Sequence, residues 1–123
     1  MKNRETPQPI TERTFDFAVR TVKLCFYLDA KRGAAKVLGP QIVRAGTSMG
    51  ANVEEAQAAQ SKADFISKMN IALKEARETH FRLRVLSAAE ALPEDQLGPL
   101  IQEADELQRI LAAIIISSKG GRP

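Results

Sequence analysis

The sequence predicts an all-α protein folded as an antiparallel up-down-up-down four-helix bundle, and three observations favour this fold class. Aliphatic residues supply most of the apolar content, whereas tryptophan is absent and tyrosine occurs once in 123 residues. Apolar residues recur every three or four positions along most of the chain, which is the spacing of one helical face. Glycine and proline cluster at a few sites that separate four such segments. A chain of this length is expected to form one domain.

The domain boundaries follow from these segments. Residues 1–12 contain Pro7 and Pro9 among polar residues, and we expect them to form a flexible arm. The bundle is expected to span residues 13–118, and residues 119–123 to form a disordered tail.

The first predicted helix runs from about residue 12 to residue 30. One apolar stripe along it comprises Phe15, Ala18, Val19, Val22, Cys25 and Phe26. A second stripe contains Phe17, Leu24 and Leu28, so we expect this helix to contact more than one neighbour.

The second predicted helix covers residues 40–59. Pro40 suits the first turn of a helix, because the N–H that proline lacks would have no partner there. The inward face is expected to contain Ile42, Met49, Val53 and Ala56.

Two glycines in the middle of this second helix indicate a close contact. Each glycine in a helix interior costs about 1 kcal/mol relative to alanine, and Gly46 and Gly50 lie four residues apart on one face. Missing Cβ atoms let another backbone approach. We assign Gly46, Ser48, Gly50 and Asn52 to the interface of a homo-oligomer.

The third and fourth helices show the clearest periodicity. The third is expected to begin near Ser61 and Asp64, which resemble a capping pair, and to end near Ala91. Its apolar seam comprises Phe65, Met69, Ala72, Ala76, Thr79, Leu83 and Leu86. The fourth is expected to start at Gly98 and Pro99, with a seam of Leu97, Leu100, Ala104, Leu107, Leu111 and Ile114.

Catalytic and metal-binding patterns are not found in the sequence. Nucleophilic catalysis needs a nucleophile with a base in reach, but the single cysteine, Cys25, and the single histidine, His80, are each expected to be packing residues. Dimetal sites in four-helix bundles use Glu-x-x-His pairs, and no such pair occurs. We expect a non-enzymatic protein that uses no cofactor or metal.

Positive charge is concentrated toward the start of the chain. Residues 1–50 hold nine Lys or Arg against four Asp or Glu, a net charge of +5, whereas residues 90–123 hold three against six, a net charge of −3. Phosphate backbones are bound chiefly through Lys and Arg. The candidate nucleic-acid-binding residues are Arg20, Lys23, Lys31, Arg32, Arg44, Lys68 and Arg77. The same charge would suit a protein-interaction or scaffolding module that binds no nucleic acid, and this alternative stays open.

Phosphate contacts are expected to dominate over base contacts. Stacking of single-stranded bases requires exposed aromatic side chains, and only Phe81 and Tyr27 are suited to this role. Binding should therefore be weakly specific for sequence.

The predicted location is the cytoplasm. The N-terminal sequence MKNRETPQPITER has no apolar core of the kind that signal peptides contain. No apolar run reaches the ~20 residues that span a bilayer.

The segments QIVRAGTSMGANVEEA and SKADFISKMNIALKEARETHFRLRVL resemble the 23S rRNA-intervening sequence proteins, a family of four-helix bundles. This group is similar in fold to the accessory variability proteins of diversity-generating retroelements. The family pattern is matched at Gln41, Ile42, Arg44, Ala45, Ser48, Met49, Asn52, Val53 and Glu55, and more loosely at Phe65, Ala72 and Ala76. Val43 replaces a basic residue and Gly50 a proline that are common in the family. The resemblance covers about residues 13 to 117.

The resemblance implies a homopentamer with a basic surface that binds RNA or DNA. For the retroelement branch it implies a reverse transcriptase as partner. Together with the charge distribution, it favours an oligomeric bundle that contacts structured RNA or a nucleoprotein complex.

Overall fold

The computed structural model describes residues 8–31 and 33–120, and these ranges form four α-helices. Helix α1 spans Ile10–Asp29, α2 Ala34–Gln57, α3 Lys62–Ala88 and α4 Glu94–Ser118. No strand occurs in the described ranges. The predicted all-α four-helix bundle is therefore confirmed. Helix α1 includes residues 10–12, which we had expected in the arm, while residues 1–7 and 121–123 lie outside the described residues.

Two helices begin earlier than predicted, and each contains a proline. Helix α2 starts at Ala34 after Gly33, which has a φ of 73°, so Pro40 is the seventh helical residue. Helix α4 starts at Glu94 and contains Pro99. Proline removes one intrahelical hydrogen bond. The predictions were wrong because we treated the prolines as markers of the first turn.

The helix interiors follow the predicted pattern. Of the two apolar stripes on α1, the one with Phe17, Leu24 and Leu28 is buried, whereas Phe15 and Phe26 of the other are exposed. The largest fully buried side chains are Phe17, Leu28, Ile42, Met49, Met69, Leu83, Leu86, Leu97, Leu107 and Leu111. Ser61 caps α3, since its side chain accepts a hydrogen bond from the Asp64 N–H at 3.0 Å.

Two threonines of α1 meet the two glycines of α2. Thr14 and Thr21 are fully buried, and each hydroxyl donates to a backbone carbonyl of the preceding turn, at 2.9 and 2.7 Å respectively. A Cβ atom on Gly46 would lie 2.8 Å from Thr21 Cγ2, and one on Gly50 would lie 3.3 Å from the Thr14 carbonyl oxygen. Only glycine fits this close approach without displacing α1.

The partner of the glycine face is therefore α1 of the same chain, which corrects our interpretation of Gly46 and Gly50. Both glycines are buried by α1, so their small size needs no second subunit. Ser48 and Asn52, the other residues assigned to the oligomer interface, are half-buried, and Asn52 Nδ2 donates to the Ser48 carbonyl at 2.9 Å. An oligomer interface at these four positions stays a prediction. The close contact at the two glycines no longer supports it, because α1 already makes that contact.

Neighbouring helices pack in the order of the chain. Helix α1 contacts α2, α2 contacts α3, α3 contacts α4, and α4 contacts α1, whereas no contact joins α1 to α3 within residues 8–31 and 33–120. Helices α1 and α3 therefore lie on a diagonal of the bundle. Arg13 of α1 links the first helix to the last, because its Nε donates to Glu103 Oε2 at 3.0 Å.

Candidate nucleic-acid interface

Two predicted nucleic-acid-binding residues, Arg44 and Lys68, already face carboxylates. Arg44 Nη1 lies 3.5 Å from Glu75 Oε2, and its Nη2 lies 3.5 Å from Glu78 Oε2. Lys68 Nζ lies 3.2 Å from Glu55 Oε1. These pairs connect α2 with α3, and a nearby carboxylate offsets the charge that each cation could offer to a phosphate. Of the predicted residues, Arg44 and Lys68 are therefore the weakest candidates for phosphate binding.

The pKa of the Glu78 carboxyl, which pairs with Arg44, is lowered by its surroundings. A hydrogen bond with Glu75 holds the pKa of the Glu78 carboxyl below its usual value, and the positive charge of Arg82 lowers it further. Arg82 Nη1 lies 3.6 Å from Glu78 Oε2. This seam therefore balances its own charge and is better suited to joining α2 and α3 than to binding a polyanion.

Three other predicted cations lie on or just after α1: Arg20 and Lys23 are on its outer face, and Lys31 follows two residues after the helix ends. Arg20, Lys23 and Lys31 are exposed, and none of them forms an ion pair with any residue that the structure describes. Tyr27 lies between Lys23 and Lys31 in the sequence, is 41 % exposed, and has Lys31 Nζ 4.9 Å from its ring centroid. We call Arg20, Lys23, Tyr27 and Lys31 the α1 basic stripe.

Arg77, the last predicted residue on α3, belongs to a second exposed row. Lys74, Arg77, Phe81 and Arg84 follow one another at steps of three or four residues, which places them on one helical face, and all four are exposed. Phe81 is 58 % exposed, and Arg84 Cζ lies 5.7 Å from its ring centroid. In the described chain none of the three cations forms an ion pair. We call these four residues the α3 basic stripe.

The two stripes share one sequence pattern. Each has a cation, a second cation three residues later, an aromatic residue four residues after that, and a final cation that contacts the aromatic ring. Our predicted site omitted Lys74 and Arg84, although their spacing was present in the sequence, and it named Phe81 only as a ring suited to base stacking. Arg32, the seventh predicted residue, lies outside the described residues. Because α1 and α3 are on a diagonal, the two stripes lie on different sides of the bundle.

An apolar groove lies between α1 and α2. It has a volume of about 270 Å³ and is lined by Phe15 and Ala18 of α1 and by Thr47, Gly50, Ala51 and Glu54 of α2. Phe15 is 58 % exposed at its edge. Exposed apolar surface next to a groove is typical of protein interaction sites.

The single histidine, His80, and the single cysteine, Cys25, are both half-buried. Burial lowers the pKa of half-buried His80 below its usual value, and the positive charge of Arg84 lowers it further. His80 is therefore mainly neutral at pH 7. Cys25 is a free, half-buried thiol. In the described ranges, no three His, Cys, Asp or Glu side chains are arranged to hold a metal ion.

None of the described helices carries an apolar stretch long enough to cross a lipid bilayer.

Comparisons with known proteins agree with the fold. A model of the family described as 23S rRNA-intervening sequence protein matches residues 8–113. The chain is also similar to a protein of unknown function from the S23 ribosomal protein family of Bacteroides thetaiotaomicron, whose crystal structure was determined at 1.70 Å. The two share 39 % sequence identity, and their structures superpose with a TM-score of 0.80. The similarity covers 87 % of this chain and 98 % of that one. No curated protein matches the chain.

Proposed function

Because the chain belongs to the 23S rRNA-intervening sequence protein family, we propose that it is a non-enzymatic, cytoplasmic bundle that forms a homo-oligomer and binds RNA or DNA. The α1 basic stripe is the proposed contact surface. The family description makes ribosomal RNA the first nucleic acid to test.

One observation carries this proposal: the cations of the α1 basic stripe are exposed and form no ion pair within the described chain. Arg20 and Tyr27 are about 10 Å apart along α1, at 1.5 Å per residue, and Lys31 follows two residues after the helix ends at Asp29. A row of unpaired cations of this length suits a phosphate backbone, since each contact releases a condensed counterion.

Self-association would bring several copies of this weakly binding surface into one assembly. The α1–α2 groove offers an apolar face for a second copy, and linked copies gain affinity through avidity. We propose five copies on the strength of the family resemblance.

We also propose that α1 and α2 are antiparallel, as an up-down bundle requires. Gly39 lies near Leu28 and Gly50 lies near Thr14, and these contact pairs support this arrangement.

A fluorescence anisotropy titration with labelled ribosomal RNA fragments tests nucleic-acid binding. We expect binding at low salt that weakens linearly on a log–log plot of affinity against salt concentration. The double variant Arg20→Gln/Lys23→Gln should bind more weakly, with a slope reduced by roughly 1.4 to 1.8 for two lost phosphate contacts.

The matched control is Lys68→Gln/Arg109→Gln, which removes the same charge from cations that already form ion pairs. It should bind nearly as the unmodified protein does. Absence of binding at low salt, or equal loss in the two double variants, would contradict the proposed function.

A scaffolding module is the second candidate, favoured by the apolar groove between α1 and α2. Affinity purification from lysate with and without nuclease separates the two candidates. Partners that survive nuclease treatment favour scaffolding, whereas partners held through nucleic acid are lost.

A further inference from the structure

We propose that the α3 basic stripe is a second nucleic-acid site, specific for single strands, in which an unpaired base stacks on Phe81 while the cations of the stripe contact flanking phosphates. This inference rests on the proposed function, because it assigns a further surface and a narrower ligand to the same nucleic-acid binding.

The first observation is the exposure of Phe81. Its ring is 58 % exposed in the middle of α3, among charged residues, where a helix surface gains nothing from an aromatic side chain. The core side of the same helix is already filled by Met69, Ala76 and Leu83, which are fully buried. Packing within the chain therefore does not account for Phe81.

The second observation is the arrangement of charge around the ring. Lys74 and Arg77 precede Phe81 and Arg84 follows it on one helical face, and the row is about 15 Å long at 1.5 Å per residue. Of the acidic residues on α3, Glu75 and Glu78 pair with Arg44 of α2, and Glu78 also lies close enough to Lys74 to interact with its charge. On α4, Asp105 forms its ion pair with Arg109 at 3.0 Å. None of the three cations of the stripe forms an ion pair within the described chain, so the stripe carries a net positive charge.

The third observation is the contact between Arg84 and Phe81. The guanidinium carbon lies 5.7 Å from the ring centroid, within the range of a cation–π interaction. Guanidinium planes and aromatic rings both stack on splayed bases, and the guanidinium can also hold a phosphate bidentately. One pair of side chains can thus contact a base and its own phosphate.

These features favour a single strand over a duplex. In a duplex each base is already stacked and paired, so an aromatic ring on a convex helix surface cannot reach a base face. Unpaired bases present that face freely. The α1 basic stripe has a less exposed tyrosine and two lysines among its cations, whereas the α3 stripe has two arginines beside its ring.

A tryptophan at position 81 reports directly on stacking, because the natural chain contains none. We expect the fluorescence of Phe81→Trp to be quenched by a short single-stranded RNA and left nearly unchanged by a duplex of the same sequence. The control Phe26→Trp places the indole at another exposed position, 73 % exposed for the natural side chain, with no cation over the ring among the described residues. It should show little quenching.

An affinity measurement completes the test. Phe81→Leu should weaken single-strand binding by roughly 5- to 100-fold, as the loss of one stacked base does, without changing the salt dependence. The control Phe26→Leu should bind as the unmodified protein does. Arg84→Gln should lower both the affinity and the salt slope, since it removes a phosphate contact.

Other outcomes overturn the inference. Unchanged single-strand affinity in Phe81→Leu, with salt-sensitive binding retained, rejects this site and leaves the proposed function standing. Quenching by duplex RNA or by polyglutamate equal to that by single strands rejects the single-strand ligand, and equal quenching by polyglutamate indicates an acidic protein partner. Failure of the unmodified protein to bind any nucleic acid rejects both proposals.

Discussion

At the scale of single residues, the contact between Gly46 and Thr21 decides how closely α1 and α2 can pack. A Cβ atom at position 46 would lie 2.8 Å from Thr21 Cγ2 and 2.9 Å from its Oγ1. That hydroxyl is itself held by the Ala18 carbonyl at 2.7 Å, so the threonine cannot turn away without losing a buried hydrogen bond. The sequence predicted the close approach, but periodicity does not show whether the approaching backbone belongs to the same chain.

We expect Gly46→Ala to destabilise the protein, although alanine is the better helix former. The gain in helix propensity is about 1 kcal/mol, and overpacking a core costs about 1–3 kcal/mol. The result should be a net loss of about 1 kcal/mol and a decrease in Tm of roughly 4 °C. Thermal unfolding followed by circular dichroism measures this change.

Two further variants test the stated cause. Thr21→Ala should restore part of the stability when combined with Gly46→Ala, because it removes both clashing atoms. Gly98→Ala in α4 is the control, since its Cβ would meet only the flexible Glu94 carboxylate. A Gly46→Ala protein that melts at or above the original temperature would contradict the packing.

At the scale of the helices, the interior of each element could be predicted but the first turns could not. The seams of α3 and α4 follow from spacing alone, because burial on one helical face repeats every three or four residues. Helices α2 and α4 begin before Pro40 and Pro99. Proline in the second turn of a helix, where Pro40 and Pro99 lie, removes one intrahelical hydrogen bond, yet both helices continue through it. It does not fix the starting residue.

The α1 helix shows a second limit of periodicity. It carries two apolar stripes, and their composition alone does not identify the inner one. Thr14 and Thr21 select it, because only short side chains fit against the glycines of α2 while their hydroxyls bond within α1. Phe15 and Phe26 are therefore exposed.

The link between the first and last helices is a partly buried ion pair. Arg13 and Glu103 side chains are each 20 % exposed, and Arg13 also reaches Glu106 at 3.0 Å. We expect Arg13→Met to lower the free energy of unfolding by about 1–2 kcal/mol, because a carboxylate would stay half-buried without its partner. Urea denaturation measures this loss.

Arg109→Met serves as the control for this prediction. Arg109 pairs with Asp105 on the surface of one helix, where an ion pair contributes about 0.5 kcal/mol or less. Adding Glu103→Met to Arg13→Met should recover stability. Equal losses of unfolding free energy in Arg13→Met and Arg109→Met would show that the α1–α4 ion pair stabilises the protein no more than a surface ion pair does.

At the scale of the whole molecule, the site could be predicted only in part. The sequence identified Arg20, Lys23, Lys31 and Arg77, which are exposed and unpaired in the described chain. It also selected Arg44 and Lys68, whose carboxylate partners lie on other helices. Such partners become visible only when the helices are placed beside each other.

The apolar groove makes a prediction about assembly. Phe15→Glu would place a charge at the edge of the α1–α2 groove, so we expect the proposed oligomer to dissociate while helix content is retained. Light scattering coupled to size-exclusion chromatography measures the mass, and circular dichroism the helicity. Val37→Glu, at an exposed position outside the groove, should leave the mass unchanged; a Phe15→Glu protein of unchanged mass would place the interface elsewhere.

The diagonal placement of α1 and α3 sets a geometric demand on any ligand that occupies both stripes. Two layers of helices packed 8–10 Å apart make a body roughly 20 Å across. A molecule that touches opposite walls of this body has to curve around it or be folded back on itself. Simultaneous occupancy of both stripes should therefore increase with the length and flexibility of the strand and depend little on its base sequence.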